Sequence, residues 1–296
     1  MLGDYIDAEG ENLPYVKEGL DHYFTYDVPP VQEIMEQVYA IRILPIKSDP
    51  TNPDSDGDGY IDNVDPRPLV CDVFKSSLSN KDFLPIYNED GTLDYGGDQN
   101  WFNSAIGKNG GCGTVAASNL LAYMAISNSK YKKLYNYPDL SKKNFIAHMN
   151  KVYNYVTPYS IFGVSLGVWP LSKFENGVTN YAKDHEIELK GIHKNGAFNK
   201  NNTSDYIRTA LDNNLPVAML IGINSKLRNI EVTLPNGNNW IQNSFERHWV
   251  TITEIKTDNI SQKTVLKVST WGGYSYIDLD DYVNGEELYA ALIYFN

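Results

Sequence analysis

The sequence predicts an α+β fold. Helix-start signals and 3.6-residue periodicity dominate to about residue 213, and short alternating β-prone runs follow. With 296 residues, 42% of them hydrophobic, the chain can build one sizeable core plus a smaller appended module. No apolar run approaches the ~18 residues needed to span a bilayer. A net charge of −12 and a pI near 4.8 argue against nucleic acid or anionic membranes as partners.

Residues 1–45 hold one amphipathic helix, around Val31 to Ile43, after the Pro29-Pro30 start signal. Residues 46–70 form a proline-flanked acidic connector, and residues 71–97 are turn-rich, with Asn88-Glu89-Asp90-Gly91 as a hairpin or loop tip. A helix is expected from about Cys112 to Ile126, another from Ser141, its N-cap, to Tyr155, and a third from Leu171 to Asp184. A fourth, Thr203 to Asn213, is ended by Asn-Asn-Leu-Pro. The β half comprises Val217–Ile223, Ile230–Leu234, His248–Ile255, Thr264–Thr270, Tyr274–Ile277 and Leu288–Tyr294. Three parts are expected: a helical extension (1–45), a connector (46–70) and a main domain (71–296).

The connector contains Asp54-Ser55-Asp56-Gly57-Asp58-Gly59-Tyr60-Ile61-Asp62-Asn63-Val64-Asp65. In a twelve-residue calcium loop these acids fall at positions 1, 3, 5, 9 and 12, with glycine at 6 and the Tyr60 carbonyl at 7. Asp65 stands where Glu is usual, with a shorter reach. Such crowded carboxylates repel one another without a cation, so a structural Ca²⁺ is expected on Asp54, Asp56, Asp58, Tyr60, Asp62 and Asp65. Asp49 and Asn52 are possible extra ligands, and an acidic solvated loop is the alternative. Prolines on both sides replace the helix pair of an EF-hand. The segment resembles thrombospondin type 3 and dockerin-like repeats of secreted bacterial proteins, where it usually acts as a stiffened connector.

Cys112 lies in Gly110-Gly111-Cys112-Gly113-Thr114-Val115-Ala116-Ala117-Ser118-Asn119, a glycine turn opening a helix. A thiol at a helix N-terminus sits in the positive end of the dipole, which favours nucleophilic thiolate. A buried structural thiol, or a disulfide to Cys71, is the alternative. Of five histidines, His22, His148, His185 and His193 lie in segments that look like helical faces or loops, whereas His248 opens a late β-run. That run is followed by Val268-Ser269-Thr270-Trp271-Gly272-Gly273.

This order of motifs, from near Asp98 to the C-terminus, resembles the papain-like cysteine peptidases, especially their compact bacterial branch related to bacteriocin-leader peptidases. The resemblance implies a two-lobed fold, with a helical lobe carrying the catalytic helix and an antiparallel sheet carrying the histidine. It implies Cys112 as nucleophile, His248 as general base, Trp271 as their shield and an upstream Gln binding the oxyanion. Gln99 fills that place, thirteen residues before Cys112, a longer interval than in papain. Residues Gly107-Lys108-Asn109-Gly110 are expected to loop out, and Asn103 is the fallback. Where the family usually has an Asn or Asp to orient the imidazole, this chain has Ser269 and Thr270.

The reading is a secreted, calcium-binding thiol hydrolase acting on peptides or proteins, an extracellular or cell-surface piece of a larger protein. No signal peptide is read at Met1-Leu2-Gly3-Asp4-Tyr5. A deamidase or transglutaminase-type effector would use the same groups, and a catalytically silent binding module is the alternative of a different class.

Overall fold

The computed structural model describes residues 53–65, 67–196, 198–285 and 288–296. The expected helix at 31–43, His22, Asp49 and Asn52 lie outside the described residues. The chain divides into two compact units, Met1–Asp72 and Val73–Asn296.

The second unit mixes helices with antiparallel sheet, the α+β class expected from the sequence. Its strands are β1 (Val73–Ser77), β2 (Pro85–Tyr87), β3 (Leu93–Tyr95), β4 (Tyr159–Ile161), β5 (Val164–Gly167) and β6 (Gly191–Asn195). Then come β7 (Val217–Ile221), β8 (Arg228–Thr233), β9 (Asn239–Ser244), β10 (His248–Asp258), β11 (Lys263–Thr270), β12 (Gly273–Asp278) and β13 (Ala291–Phe295). The helices are α1 (Ala105–Gly110), α2 (Cys112–Ser127), α3 (Lys142–Tyr153), α4 (Leu171–Asp184), α5 (Lys200–Asp212) and α6 (Leu279–Val283).

The main sheet runs β6-β13-β7-β10-β11-β12-β8-β9, with β1 added beside β10. Its pairings are antiparallel. Strand β10 is the hinge of the order. Its first half pairs with β7 (His248↔Ile221 to Ile252↔Val217) and its second half with β1 (Val73↔Asp258 to Ser77↔Glu254). Strand β7, Val-Ala-Met-Leu-Ile, is buried at every position, as suits a strand covered on both faces.

Helix α2 is buried from Cys112 through Ala125 and packs against α3, α4, β7 and β10. Its apolar residues surround it on all sides, the pattern of a core helix rather than an amphipathic one. Gly113 is needed for this packing: a Cβ there would lie 2.6 Å from Val168 Cβ and 3.1 Å from the Trp249 ring. The central helix therefore seats its first turn against the start of β10.

The structure adds elements that the sequence reading left as loop. Residues 107–110 do not loop out but belong to α1, N-capped by Ser104, whose hydroxyl accepts the Gly107 N–H at 3.0 Å. Gly107 and Gly111 let this helix close on Phe102, since Cβ atoms there would fall 2.6 and 2.7 Å from its side chain. Strand β1 lies inside the segment read as turn-rich, and the β4–β5 hairpin, β6 and β9 were also unread. These strands are mostly exposed and carry polar residues or, in β4–β5, apolar ones on the wet side, so none shows the alternation of a half-buried strand. Ser141 N-caps α3, accepting from Asn144 N–H, and Asn199 with Asn202 closes a capping box on α5.

Candidate active site

Four separated segments meet in one cleft, lined by Gln99, Cys112, Asn119, His248, Thr270 and Trp271, among others. Cys112 is the first residue of α2, only 6% exposed, and carries a free thiol. The backbone N–H groups of Trp249, Gly113 and Cys112 itself support its sulfur, but burial outweighs them and pushes the thiol above its ordinary value. The expected dipole effect is thus present and overridden by desolvation.

His248 opens β10, beside the start of α2, and is buried. Its Nε2 lies 2.8 Å from Thr270 Oγ1, and its ring stacks on Trp271 at 4.1 Å between centroids and 13° between planes. With Nε2 donating to the threonine, Nδ1 is left as the basic nitrogen. Burial carries the imidazole down to about 3. At neutral pH the site therefore holds a neutral thiol and a neutral imidazole.

Ser269 does not share this role. Its hydroxyl donates to the Tyr95 carbonyl at 2.6 Å and lies 3.5 Å from Asn119 Nδ2. Strand alternation explains the split: neighbouring residues on β11 point to opposite faces, so only one of the two faces the histidine. Gln99 begins a 3₁₀ turn capped by Asp98, and its Nε2 donates to the Lys108 carbonyl at 2.6 Å. An amide nitrogen has two N–H groups, so this bond anchors the side chain and leaves one donor over. Asn103 is exposed.

The sequence reading passed over Asn119 as a working residue. Its Oδ1 accepts the Gly97 N–H at 2.9 Å, which ties the segment leading to Gln99 onto α2. Gly97 O in turn accepts from Gly272 N–H at 3.1 Å, beside Trp271. The signal was available as an amide amid an otherwise apolar helix, where a buried polar group needs partners. Among the described residues, the other histidines stay apart from the cleft lining. His148 is buried on α3, His185 caps α4, and His193 lies on β6 near Glu175, a strand where a helical face or loop was expected.

In the first unit, one carboxylate oxygen each of Asp54, Asp56 and Asp58 gathers within 4.8 Å. Gly59, at loop position 6, takes φ +98°, a conformation that a side chain would strain. Asp56 Oδ2 and Asp65 Oδ2 are buried without a hydrogen-bond partner, and Asp65 is 8% exposed. Desolvation, with the charges of Asp58, Asp65 and Asp54, pushes the Asp56 carboxyl above its ordinary value. Orphaned, crowded oxygens fit a hard divalent cation. Asp62 is turned differently: its two oxygens accept from Ser55 N–H and Oγ, each at 2.8 Å. Asp58 Oδ2 accepts Asp72 N–H at 2.8 Å, and Asp65 Oδ1 accepts Arg67 N–H at 2.7 Å. Arg67 also pairs with the Asp72 carboxylate.

Compared with known proteins, the chain matches no family model and no curated sequence.

Proposed function

We propose that this protein is a papain-like thiol hydrolase that transfers acyl groups from peptide or protein substrates. The observation that carries this reading is the convergence of Cys112, His248, Thr270 and Gln99 in one cleft from four distant segments. His248 Nδ1 takes the thiol proton as sulfur attacks a carbonyl, and later returns it to the leaving amine. Because both groups start neutral, proton transfer accompanies attack rather than preceding it. Thr270 holds the ring by Nε2 and Trp271 covers its face. The Cys112 backbone N–H and the second N–H of Gln99 supply donors for the oxyanion.

A different-class reading, a silent binding module, is favoured by one feature: Thr270 is a neutral hydroxyl where an amide or carboxylate usually orients the imidazole. Peptide-library digestion followed by mass spectrometry separates the readings. New termini indicate a peptidase, a +1 Da change at glutamine a deamidase, and an unchanged library the silent module.

Asp54, Asp56, Asp58, the Tyr60 carbonyl and Asp65 would hold a structural calcium ion, whose charge relieves their repulsion. Asp62 would contribute through Ser55, as a clasp on the loop. The millimolar calcium outside cells suits such a site, and on this ground we place the protein in a secreted or surface setting. Calcium is expected to stabilise the folded form by RT ln(1 + [L]/Kd), about 2.7 kcal/mol at a hundredfold excess over Kd. Differential scanning calorimetry should show the transition rising with the logarithm of free calcium. Identical scans in calcium and EDTA would defeat the site.

A further inference from the structure

Strands β4 and β5 form a hairpin that turns at Phe162 and Gly163, both at positive φ (50° and 81°). Ser160 pairs with Ser165 and Ile161 with Val164, so hydroxyls and aliphatic groups fall on opposite faces. On the serine face Ser160 is exposed and Ser165 is half-buried against α1, where a Cβ on Gly110 would lie 1.8 Å from Ser165 Oγ. Ile161 and Val164 are 56% and 65% exposed, Leu166 53%, and Phe162 at the tip is wholly exposed. Antiparallel pairs ordinarily bury the apolar face and wet the polar one. This hairpin leaves its apolar face in water, and such patches mark interaction sites.

Its place in the fold says what it meets. Gly110, under Ser165, is two residues from Cys112. Val168, one residue past the hairpin, packs on Gly113, and its carbonyl accepts the Trp249 indole N–H at 2.9 Å. The hairpin is thus fastened to the neighbours of both Cys112 and His248. The cleft between them has room for about one water molecule, and Gln99, Asn119, Ser269 and Thr270 make much of its wall polar. It takes a reacting carbonyl but no bulky side chain, so selection among side chains falls on the rim. The hairpin, fastened beside the cleft without lining it, carries no charged residue from Tyr159 to Gly167.

We propose that the outward face of this hairpin grips bulky apolar side chains of a polypeptide substrate while an adjoining carbonyl lies at Cys112. The grip rests on the hydrolase reading for the identity of its occupant as substrate. The hairpin then sets specificity: apolar segments, such as those exposed in unfolded or extended chains, are selected over polar ones.

The test uses the full chain carrying Cys112→Ala and two fluorescein-labelled peptides, one with Leu and Phe at alternate positions, the other with Ser in their place. Fluorescence anisotropy should show the apolar peptide bound at least 10-fold more tightly. Phe162→Ser combined with Ile161→Ser should remove about 10-fold of that preference, the order expected for losing buried apolar area. Both side chains point to solvent, so the fold should be undisturbed, and Phe162→Tyr should retain binding. With Cys112 restored, the same pair should lower kcat/KM on the apolar peptide through KM. Equal affinity for the two peptides, or no effect of the hairpin substitutions, would overturn the proposal. So would a concentration-dependent dimer in sedimentation, or binding to phosphatidylcholine–phosphatidylglycerol vesicles, that the double substitution abolishes. Apolar-peptide binding without any turnover keeps the grip and removes the hydrolase reading. Turnover indifferent to apolar residues does the opposite.

Discussion

Cys112→Ala is expected to abolish turnover, and His248→Ala to lower kcat on the order of 10²–10⁴-fold. The thiol is buried and held above its ordinary value, so without a base beside it almost no thiolate is available near neutrality. On the proposed reading His248 supplies that base through Nδ1, with Thr270 engaging Nε2 and Trp271 stacked on the ring. Smaller losses should follow in a set order. Gln99→Ala should cost about 10²-fold if its amide meets the oxyanion. Thr270→Val should cost less, since one neutral hydrogen bond contributes about 0.5–1.5 kcal/mol. Ser269→Ala should leave the imidazole oriented, because its hydroxyl serves the Tyr95 carbonyl instead. Steady-state kinetics on one peptide ranks all five variants. Turnover surviving Cys112→Ala would move the chemistry elsewhere.

Acid should unfold the second unit through two histidines. His148 and His248 are both buried, and burial carries each down to about 3. Unfolded histidine titrates near 6.5. Between those values the unfolded chain binds protons that the folded chain does not, so stability is full above about pH 6.5 and falls as pH drops toward 3. Each histidine contributes a slope of about 1.4 kcal/mol per pH unit, about 2.7 for both. His148 cannot easily adapt, enclosed by Tyr135, Phe145 and Tyr181 with its Nε2 on the Ser118 carbonyl at 3.2 Å. Urea titrations from pH 7.5 to 4.5 should show this slope, and His148→Asn should roughly halve it while lowering stability at neutral pH. A flat profile across that range would show that both rings are protonated in the fold. The thiol acts on the other side: raised in the fold, Cys112 is expected to withdraw stability as pH rises above about 8.5.

The sequence disclosed what strong local chemistry dictates. Helix α2 begins where the glycine turn ends, and α4 spans Leu171–Asp184 as its periodicity requires. Strands β7, β10 and β11 were legible because burial forces apolar or alternating patterns on them. Strand β1 was not: it owes its place to pairing with β10, 177 or more residues away, and pairing of backbones leaves little trace in side chains. Helix α1 contains two glycines and reads as loop until Phe102 is seen filling the space at Gly107 and Ser165 that at Gly110. In the site, spacing alone could not choose between Ser269 and Thr270, since adjacent strand residues differ only in which face they take. Nor could it show that Asp62 turns to Ser55, because carboxylate orientation in a short acidic loop depends on backbone turns rather than on position in a motif.

The most direct measurement is mass-spectrometric mapping of adducts after brief treatment with a thiol-directed peptidyl epoxide at pH 7, on native and urea-unfolded protein. Native protein should carry the adduct on Cys112 and scarcely on Cys71, with His248→Ala or urea abolishing that selectivity. Equal modification of both cysteines in the native protein, or a Cys112 that stays unmodified while Cys71 reacts, would contradict an activated nucleophile at the head of α2.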